Sequence, residues 1–235
     1  MRFRGFALVA ALWGQMAVAD EVTVAVASNF LLTAEKIAAS FEAETGHQVN
    51  LANGSTGLLY AQIVNGAPFD VFLSADDERP RLLLEGGQAL ATQPYAIGGL
   101  ALLSTDPITV ETAGEVFVGK TAALADPTVA PYGRAATRAM EALQLDTATF
   151  RPVMVANVGQ VAAGFATGNA ELAFVAVAQL YRVTAPHVLQ LEGVAPEIRQ
   201  DAALLSDNDA SRAFWAWLAR PEIVALIAAD GYGTP

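Results

Sequence analysis

Short apolar runs alternate along this chain with amphipathic stretches. Residues 22–27 are apolar except for Thr23 and predict a buried strand. Over residues 31–45, Ile37, Phe41 and several alanines gather on one side of a helix that Gly46 stops. The unit then recurs. Strand 49–52 precedes helix 58–64, which Asn65-Gly66 ends, and strand 71–73 precedes helix 77–84, which Gly86-Gly87 ends. Strands are predicted at 100–103, 122–125, 153–156 and 172–177, with helices at 134–143 and 159–167. The last helices, 211–218 and 222–229, are broken at Pro221. Strands alternating with helices give βαβ units, and continuous apolar runs fit strands covered on both faces. The predicted class is therefore α/β with a mostly parallel sheet. No fixed-period repeat or Pro/Ser-rich linker divides the chain.

The first 19 residues stand apart from this pattern. Arg2 and Arg4 form a basic start, Phe6, Leu8, Val9, Leu12 and Trp13 an apolar stretch, and Ala17-Val18-Ala19 a small-residue exit. This predicts a cleavable signal peptide over 1–19, a mature chain beginning at Asp20, and export to the periplasm. No later run reaches the ~18 apolar residues of a membrane span. Hydrophobic residues make up 54% and charged residues 16% of the chain, against a usual charged share of about 25%. That excludes a disordered chain. The absence of cysteine excludes disulfides, thiolate chemistry and a lipid anchor at the cleavage site. Without Arg2 and Arg4, 11 basic residues face 24 acidic ones. A charge of −13 makes nucleic acid and anionic membranes poor partners.

Candidate chemistry lies where strands run into helices, because ligands of α/β sheets bind at the carboxyl ends of strands. Four such junctions carry small or polar residues: Ser28-Asn29, Gly54-Ser55-Thr56-Gly57, Pro131-Tyr132-Gly133 and Asn157-Val158-Gly159. A helix N-terminus offers unpaired amides and a partial positive charge, which suits an anion. Taken singly, each junction reads equally as ordinary capping. Two in each half of the chain suggest one shared anion pocket. No basic cluster accompanies them. Only Arg134 lies close to one, as a local cation that could speed an anion's approach.

Other patterns lead elsewhere. Gly114-Glu115-Val116-Phe117-Val118-Gly119-Lys120-Thr121 fits the phosphate-loop spacing, but that loop must follow a strand and open a helix at the lysine. Here three of four spacer residues favour a strand, and 121–125 reads as a strand too. His47 follows a helix stop and His187 reads as loop. Neither belongs to a zinc-binding or nucleophile-elbow motif. Ser74-Ala75-Asp76-Asp77 reads as a helix start, and Asp70 and Asp76 as capping or surface groups rather than an acid–base pair. Trp215 and Trp217 read as an aromatic helix face packed in a core.

The same junctions carry a family resemblance. Val24-Ala25-Val26-Ala27-Ser28-Asn29-Phe30 resembles the opening of the periplasmic molybdate-binding proteins that feed ABC importers. Gly54-Ser55-Thr56-Gly57 with Tyr60-Ala61-Gln62-Ile63 and Asn65-Gly66-Ala67-Pro68 resembles their second signature. Val71-Phe72-Leu73-Ser74-Ala75-Asp76, Ala125-Asp126-Pro127 with Ala130-Pro131-Tyr132-Gly133, and Asn157-Val158-Gly159-Gln160 follow in order. The resemblance implies the two-lobed type II periplasmic binding fold, each lobe a mostly parallel sheet flanked by helices. Lobe one would hold residues 20–97 and 201–235, and lobe two residues 98–200. It further implies a metal oxyanion, molybdate or tungstate, held in the cleft by uncharged donors. Ser28 and Asn29, with Thr56 or Ser55 beside it, would serve from the first lobe. Tyr132 and Val158 would serve from the second through their main-chain amides, with Ala75 as a lesser contact. Thr56 stands where some relatives have serine, and its methyl would trim the cavity. The implied protein is a monomer without cofactor, cation site or enzymatic step, and its macromolecular partner is an importer permease. A receptor for sulfate or an organic ligand, and a periplasmic hydrolase, are the alternatives.

Overall fold

A computed structural model describes residues 20–235, so the signal peptide expected at 1–19 lies outside the described residues. The first apolar run forms β1 (Glu21–Ala27) and the amphipathic stretch α1 (Leu31–Thr45), closed by Gly46 at φ 77°. Glycine is suited to this left-handed stop. The pattern continues through β2 (Gln48–Gly54), α2 (Thr56–Val64), β3 (Val71–Leu73), α3 (Glu78–Glu85), β4 (Ala91–Gly98) and β5 (Leu100–Ser104). Then come α4 (Ala113–Phe117), β6 (Thr121–Ala125), α5 (Pro131–Ala142), β7 (Arg151–Val155), α6 (Val158–Ala166) and β8 (Leu172–Ala176). The remaining elements are β9 (His187–Gln190), β10 (Ile198–Leu204), α7 (Asp209–Leu218) and α8 (Pro221–Ala229). No helix among the described residues is long and apolar enough to cross a membrane.

The strands make two five-stranded sheets, ordered β2-β1-β3-β10-β4 and β7-β6-β8-β5-β9. In each, four strands share a direction and one runs against them, β10 in the first and β5 in the second. The chain leaves the first sheet after β4 and returns to it in β10, and these strands pair directly, with Ile198 opposite Gly98. Helices cover both faces of each sheet. Phe30, Phe41, Phe214 and Trp217 fill the largest core, and Phe41 meets both Phe214 and Trp217 edge-to-face. Trp217 is thus a core residue, as expected, with half-buried Trp215 packed against the cluster.

Several expectations need correction. The apolar pattern misses β4, β9 and β10, and His187 opens β9 rather than sitting in a loop. The residues between Gly114 and Gly119 begin with the short helix α4 instead of a strand. Lys120 pairs with Asp106 immediately before β6, so no phosphate loop exists. α2 and α5 start at Thr56 and Pro131, earlier than their apolar patterns suggest. Proline at the first helical position is favoured because that N–H needs no partner.

Candidate functional site

The parallel strands β1 and β2 end level with each other, Ala27 opposite Gly54. The turns that follow therefore open on one sheet edge. Ser28 N–H donates to Gly54 C=O at 3.0 Å, tying the first turn to the second. In the other sheet β6 and β7 also end level, Ala125 opposite Val155, and run into the N-termini of α5 and α6. The two carboxyl edges meet. Between them lies a small cavity, lined by residues from every predicted junction. Ser28, Asn29, Ser55, Thr56, Ala75, Tyr132 and Val158 all line it. No charged side chain does.

Each candidate contributes differently. Ser55 is the N-cap of α2 but makes no side-chain cap bond. Its Oγ is buried and has no hydrogen-bond partner, and the residue is 3% exposed. A buried hydroxyl left unpaired costs about 1–3 kcal/mol, so this atom requires an explanation. Thr56 Oγ1 accepts the Ala75 N–H at 3.0 Å. That leaves its own proton to donate, and it makes Ala75 a wall rather than a donor. Ser28 Oγ accepts from Gly159 N–H at 3.4 Å, again with its proton unspent. The Asn29 side-chain amide donates to Gln200 Oε1 at 2.9 Å and Tyr232 OH at 3.3 Å, so it is already engaged within the protein. Asn157 caps α6 by accepting from Gln160 N–H. The first-turn amides of Thr56, Tyr132 and Val158 have no intrahelical partner to donate to and border the same space.

Charge is held outside this ring. Asp76, buried, pairs with Arg79 and, at 2.9 Å, with Arg134 from α5. Arg134 also lies 3.8 Å from Glu78. The one cation expected beside the junctions is therefore offset by carboxylates, and it bridges the two sheets instead of facing the cavity. Asp70, the other carboxylate weighed for acid–base work, accepts Thr23 N–H at 2.8 Å and Asn208 Nδ2 at 2.9 Å. It anchors the β10–α7 loop and shares no partner with Asp76. Among the described residues, no cluster of histidines and carboxylates could hold a metal ion.

Sequence reasoning missed the layer beneath the cavity. Gln200, on β10, is completely buried. Its Oε1 accepts from Asn29 and, at 3.2 Å, from Tyr95 OH. Its Nε2 donates to Tyr132 OH at 3.5 Å. Tyr232 OH donates to Asn29 C=O at 2.8 Å. Burial pushes the hydroxyls of Tyr95, Tyr132 and Tyr232 above the usual phenol range, so all three stay neutral at ordinary pH. Gly57 was legible only as part of a motif. Its N–H donates across the cleft to Val129 C=O at 2.8 Å.

The arrangement can bind an anion. Hydroxyls and amides converge from four turns without a cation, a carboxylate or an activated nucleophile. Removed from water, hydrogen bonds from such donors to a charged guest are among the stronger ones a protein makes.

The description "bacterial extracellular solute-binding protein" belongs to a family model that matches residues 22–233. Over 240 residues the chain is 42% identical to the molybdate-binding protein ModA of Azotobacter vinelandii, covering 97% of this chain and 95% of the relative. It is 40% identical over 230 residues to ModA of Rhodobacter capsulatus, covering 93% of this chain and 90% of the relative. The solved structure of the periplasmic molybdate-binding protein of Azotobacter vinelandii superposes with a TM-score of 0.82 at 39% identity, covering 91% of this chain and 99% of that one.

Proposed function

Because the chain belongs to the bacterial extracellular solute-binding protein family, we propose that it captures molybdate in the periplasm and delivers it to an ABC importer. The observation that carries this reading is the buried, unpartnered Ser55 hydroxyl in a cavity bordered by uncharged donors from both sheets. Two lobes, residues 20–97 with 201–235 and residues 98–200, open and close about the adjacent strands β4 and β10. In the closed form Ser28, Ser55 and Thr56 donate through hydroxyls, and Asn29, Tyr132 and Val158 through main-chain amides. Closure removes water, which strengthens each bond to the doubly charged ion. Tungstate, with the same charge and tetrahedral shape, is bound too. The protein acts as a monomer, needs no cofactor and leaves the ion chemically unchanged.

A ring of fixed donors rejects an ion of the wrong size because some bonds lengthen while the charge is still desolvated. Losing two charge-assisted bonds at about 1.5–3 kcal/mol each gives discrimination of about 100-fold or more. Calorimetric titration is expected to give one site for molybdate and for tungstate, with sulfate and phosphate at least that much weaker. The molybdate affinity should be flat between about pH 6 and 8, since no group that titrates there lines the cavity. Equal or absent binding of all four ions would overturn the reading.

A further inference from the structure

Gln200 occupies an unusual position for a polar side chain. It lies on β10, the strand by which the chain returns to the first sheet, at an irregularity where pairing with β4 shifts between Gln200 and Asp201. It is fully buried, yet every partner of its amide belongs to another segment. Asn29 comes from the turn after β1, Tyr95 from β4, and Tyr132 from the first turn of α5. Two of these, Asn29 and Tyr132, border the cavity from opposite sheets. Gly98 on β4 makes the approach possible. A Cβ there would stand 2.2 Å from Tyr132 OH and 2.6 Å from Gln200 Nε2.

We infer that Gln200 is a positioning residue for oxyanion capture, setting the Asn29 turn and the Tyr132 helix start relative to each other when the lobes close. This rests on the proposed function and extends it to a residue that touches no ligand. The primary amide suits the task because it accepts and donates at once. Its oxygen holds the first-lobe turn through Asn29 Nδ2, and its nitrogen reaches the second lobe through the Tyr132 hydroxyl. A mismatch at Gln200 would loosen both halves of the donor ring together.

The test compares the parent protein with Gln200→Leu and Gln200→Glu by molybdate titration and stopped-flow release from pH 5.5 to 8. Leucine removes both functions, and the expected loss is about tenfold or more in affinity, seen as faster dissociation. Glutamate separates the roles. Ionised, it only accepts; protonated, it also donates, and burial raises its pKa. Its affinity should therefore rise as pH falls, while the parent stays flat. The titratable groups about this position are Tyr95, Tyr132 and Tyr232, neutral throughout that range, and the chain neighbours Arg199 and Asp201, whose effects the parent profile also carries. A merely structural role would lower the melting temperature and leave the affinity of the folded Gln200→Leu protein at the parent value. Parent-like affinity in Gln200→Leu, or a flat profile in a weakened Gln200→Glu, overturns the inference. If the parent itself fails to bind molybdate, the functional reading falls first.

Discussion

Replacing Gly57 with alanine should weaken molybdate binding by about 10- to 100-fold without lowering the melting temperature of the ligand-free protein. The added Cβ would stand 2.9 Å from both the Cα and the carbonyl oxygen of Val129. Those are backbone atoms of the opposing lobe and cannot swing aside, whereas the Arg79 guanidinium at 3.0 Å can. The interlobe bond from Gly57 N–H to Val129 C=O would be pushed apart. Overpacking of this kind costs about 1–3 kcal/mol, and each 1.4 kcal/mol is tenfold in affinity. The penalty applies only where the lobes meet. In the open protein alanine gains helix propensity of roughly 1 kcal/mol over glycine in α2. Binding and stability are thus expected to move in opposite directions, which calorimetry and thermal denaturation together would detect. Undiminished affinity would mean that the lobes do not have to approach this closely.

Ser55→Ala should separate binding from stability for a different reason. The hydroxyl makes no cap bond and has no partner in the protein, so removing it sacrifices no internal interaction. In the open, ligand-free protein this hydroxyl at the interlobe cavity meets water, so its removal should leave the melting temperature nearly unchanged. The substitution deletes one charge-assisted donor, so molybdate affinity should fall by about 10- to 100-fold. A loss of affinity without a loss of stability marks a residue kept for binding. A variant that melts lower and binds as before would mean that Ser55 serves the fold.

The turns that line the cavity were readable because each is local. Each donor turn sits where an apolar strand gives way to small polar residues before a helix, and both signals fall within a few positions. The start of α5 was obscured because Pro131 and Gly133 read as turn residues, although proline is well suited to a helix's first position. β4 was hidden by Thr92, Gln93 and Pro94, which break its apolar run, and β10 by Arg199, Gln200 and Asp201. The network beneath the cavity was beyond reach for a stronger reason. Gln200 is buried because Asn29, Tyr95 and Tyr132 satisfy it, and nothing near it in sequence announces partners so far away. The pairing of Arg134 with Asp76 has the same origin. Local patterning located the turns that line the cavity, while the contacts that fix them relative to one another arise only from the topology.

The most direct test is a crystal structure of the protein grown with molybdate. The account requires one tetrahedral ion between the two sheets, within hydrogen-bond distance of the Ser55 hydroxyl and the Tyr132 and Val158 amides, with every arginine and lysine outside that shell. An ion bound elsewhere, or one held there by a guanidinium or ammonium group that has moved in, would contradict it.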